Sequence, residues 1–174
     1  MIVFCIVCII IFLLSPSPEA YGVSLHNLDG VFTYQFLHGN WLHLAVNVLS
    51  LVLLYKPFKI IYGNIFNSDN NIVLLLIIYA GSVLAALITP LDIPTVGASG
   101  MVFFILGAIL ALRPTKQQFI NYIWVFLGII VSAIMGHANT PLHVAAFFIG
   151  VLFGIIRIAY DNIRTKYNRR IQTN

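Results

Sequence analysis

Charge is what this sequence has least of: Asp, Glu, Lys and Arg make up 8% of its 174 residues, while 60% are hydrophobic. With a mean hydropathy of +0.98, that scarcity excludes an ordinary water-soluble domain and marks an integral membrane protein. Cysteine is nearly absent too. Cys5 and Cys8 both fall in the first apolar run, so there is no disulfide framework and no indication of redox compartment. Nine basic residues against five acidic ones give a net charge of +4. They lie beside apolar runs and form no separate basic domain, so membrane topology accounts for them better than nucleic acid does. Nor is there room for an appended soluble domain. At roughly 20 residues per span, the length allows one bundle of about five to seven spans.

Apolar runs between polar breaks give six segments, about 2–15, 41–55, 72–89, 99–112, 119–136 and 142–160, with a basic tail at 161–174. All six are expected to be helices of an all-α bundle spanning residues 1–174, because hydrocarbon forces backbone hydrogen bonds to be satisfied internally. The first run lacks the basic n-region of a signal peptide, so a retained helix is expected. The connections 16–40, 90–98 and 137–141 contain neither Lys nor Arg, whereas Lys56, Lys59, Arg113, Lys116 and the Arg157–Arg170 group follow segments two, four and six. The positive-inside rule then puts both termini in the cytoplasm and the three neutral loops outside. Segments two, four and six run inward, and their N-terminal ends share the outer side.

Polar residues collect at those ends. Ser99 opens the fourth segment between Gly97 and Gly100. The 14 residues from Ser99 to Leu112 make about 21 Å of helix against a hydrocarbon core of roughly 30 Å. Ser99 is therefore expected below the outer surface, where irregular backbone requires a buried or wet setting. A serine hydroxyl is a weak nucleophile without a base, and His143 at the start of the sixth segment can supply one. Ala146, Gly150 and Gly154 below His143, with Gly107 below Ser99, are small residues that permit close helix approach. His43 and Asn47, spaced i, i+4 on the second segment, offer N–H donors for an oxyanion beside the Ser99 backbone N–H. Taken singly, each residue has a plainer role: Ser99 as a helix N-cap, His143 as a packed histidine, His43 and Asn47 as interhelical hydrogen-bonding groups. Trp41 and Tyr34 fit an interfacial aromatic belt and are assigned no chemistry.

The ordered set "HGNWLHLAVN", "GASG" with Gly107 eight residues beyond Ser99, and "HVAAFFIG" resembles the rhomboid family of intramembrane serine proteases in its basic six-helix form. The resemblance implies Ser99 as nucleophile, His143 as general base and acid, oxyanion stabilisation by His43 and Asn47, and His38 organising the first loop. It implies that Phe103, in the place of a common tyrosine, packs against His143. Gly97, Gly100, Gly107, Ala146 and Gly150 are implied as structural support, with Ala146 in a usual glycine position. The Trp-Arg pair that many members carry before the first histidine is absent: counting back from His38 reaches Asp29 and Gly30.

The implied substrates are transmembrane helices of other membrane proteins, with no metal, cofactor or nucleic acid involved. A bacterial inner membrane is the expected location, and residues 119–141 are the expected mobile gate. Two other classes compete: a non-catalytic rhomboid-like protein that binds membrane clients, and a small-solute transporter. Retention of both Ser99 and His143 argues against the first, and the absence of paired broken segments in two related halves argues against the second.

Overall fold

Apolar runs must close their backbone hydrogen bonds on themselves, and in the computed structural model they do so as helices. The structure describes residues 1–14, 16–63, 71–89, 92–112, 123 and 139–172. Within these, α1 is Ile2–Leu13, α2 Pro18–Tyr21, α3 Trp41–Tyr62, α4 Asn71–Ile88, α5 Ser99–Leu110 and α6 Thr140–Gln172, with short 3-10 turns at Leu28–Phe32 and Tyr34–Phe36. The fifth apolar segment, 119–136, and most of the expected gate lie outside the described residues. Among the described residues, three helical stretches are long and apolar enough to cross a membrane: Trp41–Tyr62, Asn71–Ile88 and Thr140–Arg164.

A short apolar helix of 12 residues sits at the centre. Every residue of α5 from Gly100 to Ile109 is buried, against α6 most extensively and against α3 and α4 on its other sides. Small residues make this possible. A β-carbon at Gly107 would overlap the Phe147 carbonyl of α6, and one at Gly150 would overlap the Phe104 carbonyl of α5. The two backbones therefore touch reciprocally, with Ala146 fully buried on the same face of α6.

Two helices run further than the apolar pattern suggests. Segment two was expected to stop near residue 55, yet α3 continues past Lys56, Pro57 and Lys59 to Tyr62. Its buried stripe explains why: Leu44, Asn47, Leu51, Leu54, Phe58 and Tyr62 recur at three- and four-residue steps, and the lysines fall off that stripe. The Phe58 ring meets that of Phe104 of α5 at a 58° tilt, and the Tyr62 hydroxyl donates to the Ala108 carbonyl at 2.7 Å. That packing outweighs the backbone donor lost at Pro57. Likewise α6 continues through the basic stretch to Gln172, with Arg157 and Asp161 paired at 2.9 Å one turn apart.

The close contact is testable. Gly107→Ala is expected to lower stability by about 1–3 kcal/mol, the usual cost of overpacking. Gly39→Ala, where a β-carbon meets nothing within 4 Å, should stay within about 0.5 kcal/mol of the parent. Thermal unfolding in detergent compares the two.

Candidate active site

The N-terminal ends of α3, α5 and α6 come together at one end of the bundle, and each is fixed locally. Asn40 caps α3: its Oδ1 accepts the His43 backbone N–H at 2.8 Å. Asn139 caps α6 in the same way, accepting from the Leu142 N–H at 3.0 Å, while its Nδ2 donates to Thr95 Oγ1 at 2.8 Å. Thr95 and Val23 exchange both backbone hydrogen bonds, Val23 N–H to Thr95 O at 3.1 Å and Thr95 N–H to Val23 O at 2.8 Å. The stretch leading into α5 is thereby held to the first loop on one side and to the start of α6 on the other. Both asparagines immediately precede an apolar helical run, a capping signal that the sequence itself carries.

Ser99 is the first helical residue of α5, and the N-cap position falls to Ala98, which has no side-chain cap. The serine hydroxyl is thus free for another partner. Its Oγ lies 2.7 Å from His143 Nε2, with Ser99 half-buried and His143 buried. For Nε2 to accept from the hydroxyl, Nδ1 must carry the proton, and Nδ1 has no hydrogen-bond partner among the described residues. What orients the imidazole is a ring. Phe103, one turn along α5, stacks on it with centroids 4.5 Å apart and an interplanar angle of 17°.

The opposite wall is built on Gly97, whose φ of +115° belongs to glycine. A β-carbon there would fall 2.5 Å from His43 Nε2 and 3.2 Å from Asn47 Nδ2, so both side-chain nitrogens abut the backbone two residues before Ser99. Asn47 is buried on α3 and its Nδ2 has no protein acceptor among the described residues. It is an unspent donor. The α5 N-terminus adds the Ser99 and Gly100 backbone N–H groups, which precede the first helical bond, from the Met101 N–H to the Ala98 carbonyl at 3.0 Å.

His38 stands behind His43, ring centroids 5.1 Å apart at 64°. It is buried ahead of α3, and neither ring nitrogen makes a well-formed hydrogen bond among the described residues. Burial, chiefly, and then the neighbouring His43 push its pKa down to about 4, with the Phe36 backbone opposing weakly. The structure thus brings Ser99, His143, Phe103, His43, Asn47, Gly97 and His38 to one end of the bundle, and sets Gly107, Ala146 and Gly150 lower on the α5–α6 contact. Gly100 underlies Ser99. One reading is corrected: Trp41 is exposed, as an interfacial residue would be, but Tyr34 is fully buried and belongs to no aromatic belt. Its hydroxyl crosses to Ser82 of α4, and its carbonyl accepts the Gly97 N–H at 2.8 Å. An aromatic residue near the outer end carries no sequence signal separating these two placements.

Three apolar spans among the described residues, a buried central helix and a serine–histidine contact at the end of the bundle define a helical integral membrane protein with a candidate hydrolytic centre. A family model describing the Rhomboid domain matches residues 26–161, and the chain belongs to the rhomboid family. No curated protein matches the sequence significantly.

The low pKa of His38 has a stability consequence. A buried imidazole with a folded-state value near 4 against about 6.5 unfolded binds fewer protons when folded. Stability is therefore retained above pH 6.5 and lost as pH falls towards 4, by at most about 3 kcal/mol. Unfolding followed from pH 7 to pH 4 should show a steeper loss in the parent than in His38→Gln.

Proposed function

We propose that the protein is an intramembrane serine endopeptidase that cleaves transmembrane helices of other membrane proteins. The observation that carries this reading is the 2.7 Å contact between Ser99 Oγ and His143 Nε2, and membership of a family composed mostly of intramembrane serine proteases supports it. In this mechanism Ser99 attacks the scissile carbonyl while His143 Nε2 takes the hydroxyl proton. Negative charge develops on the carbonyl oxygen beside Asn47 Nδ2, His43 Nε2 in its protonated tautomer and the Ser99 N–H, and the closeness of the first two to Gly97 supports that role. His143 then returns the proton to the leaving amine. Water, activated by the same imidazole, hydrolyses the acyl-enzyme. Phe103 keeps the ring in plane through both transfers, a task that a carboxylate performs in three-residue centres.

The finer architecture belongs to the same proposal. The chain is read as a single domain of six spans, with residues 119–136 as the fifth, both termini cytoplasmic and the serine opening outward, in a bacterial inner membrane. The distribution of Lys and Arg supports the orientation. The substrates' own helices reach the site from lipid, and residues 119–141 are the proposed gate. A role in binding clients without cleaving them is the second reading. Such a protein would need neither the serine nor the histidine, and here the two are within hydrogen-bond distance.

The test needs no knowledge of the substrate. Purified protein is treated with a fluorophosphonate probe, alongside Ser99→Ala and His143→Ala. Labelling of the parent and of neither variant is expected, with Asn47→Ala slowed by about 10²-fold through loss of one oxyanion donor. A folded parent that does not label, in detergent or in lipid, would point to client binding.

A further inference from the structure

Tyr34 touches the candidate centre from two directions although it lies on neither α3, α5 nor α6. The 3-10 turns of the first loop carry it into the interior, where it is fully buried. Its main-chain carbonyl accepts the Gly97 N–H at 2.8 Å, gripping the left-handed residue against which His43 and Asn47 rest. Its hydroxyl donates to the Ser82 carbonyl at 2.9 Å and lies 2.5 Å from Ser82 Oγ. With the phenol proton committed to the carbonyl, the Ser82 hydroxyl donates to the phenol oxygen. Ser82 is itself fully buried on α4. Gly100 closes the arrangement: a β-carbon there would overlap Ser82 Oγ and come within 3.0 Å of the Tyr34 hydroxyl. The phenol and Ser82 therefore lie directly against the first turn of α5. One residue thus bonds to the chain before Ser99 through its backbone and packs against the chain after Ser99 with its side chain.

We propose that Tyr34, anchored through Ser82 to α4, is a positioning residue that keeps the Gly97–Gly100 turn in register with His43 and Asn47, so that the Ser99 hydroxyl and N–H meet the substrate carbonyl correctly. This rests on the protease reading. Displacements of under an ångström at such a turn weaken attack and oxyanion binding together. Burial also raises the phenol's pKa, so the hydroxyl stays protonated and able to donate.

The experiment measures fluorophosphonate labelling of the full chain at saturating probe, with the probe concentration for half-maximal rate determined separately. Tyr34→Phe keeps the carbonyl grip on Gly97 and loses both hydroxyl contacts. It should label about tenfold more slowly at saturation, with the half-maximal concentration unchanged. Ser82→Ala leaves the phenol bonded to the α4 carbonyl and should slow labelling two- to threefold, and it keeps the test decisive should Tyr34→Phe fail to fold. Adding Ser82→Ala to Tyr34→Phe should slow labelling no further, because the two residues act as one unit. Tyr62→Phe is the structural control. It too removes a buried phenol that donates to a helix carbonyl, that of Ala108, at the other end of α5, and it should lower the melting temperature without changing the labelling rate. Folded Tyr34→Phe and Ser82→Ala that both label within twofold of the parent would overturn the proposal, as would equal slowing in Tyr62→Phe. Failure of the parent itself to label would overturn the protease reading instead.

Discussion

The backbone contact between α5 and α6 sets everything else. Gly107 faces the Phe147 carbonyl and Gly150 faces the Phe104 carbonyl, with no side chain between them. Two helices at that separation bring their N-terminal ends close enough for Ser99 and His143 to share a hydrogen bond. Widen the contact by one methyl group and the hydroxyl and the imidazole separate with it. In lipid, where apolar surface gains little from burial against another helix, close packing of this kind is a main source of association energy. The same glycines therefore hold the bundle together and fix the spacing of Ser99 and His143.

Around that axis the caps supply finer placement. Asn40 and Asn139 end their helices at defined residues, so His43 and His143 emerge at fixed rotations about α3 and α6. Asn139 also reaches Thr95, and Thr95 is paired with Val23. The stretch that delivers Ser99 is thus held by side-chain and backbone bonds from two separate parts of the chain. The first loop is as much a part of the candidate centre as the helices are, and Tyr34 is its innermost point.

Much of this was legible in the sequence because it depends on spacing. His43 and Asn47 share a face at i, i+4, and His143, Ala146 and Gly150 share another, whatever surrounds them. Helix lengths were less legible. Lys56 and Pro57 end an apolar run, but Phe58 and Tyr62 continue the buried stripe of α3 and find partners on α5, a fact of packing that hydropathy does not report. Asp161 and the basic residues after it look like a polar tail, yet Asp161 pairs with Arg157 one turn earlier, an i, i+4 arrangement compatible with helix. Tyr34 was misplaced for a similar reason. A tyrosine near the outer end of a bundle has the same composition signal at the lipid interface as in the interior, and its partner Ser82 stands in an otherwise featureless apolar run.

The uncharged character of the candidate centre bears on how the chain is made. No Asp, Glu, Lys or Arg occurs from Trp41 to Tyr55, from Ser99 to Leu112 or from Thr140 to Ile156. A single carboxylate placed mid-span would add about 2.5–3.5 kcal/mol to the insertion of its helix. A centre composed of a hydroxyl, imidazoles and a carboxamide avoids that penalty, so charge does not oppose insertion of the helices that carry it. The Ser99–His143 contact joins two helices, α5 and α6, so it exists only once both have been inserted and packed together.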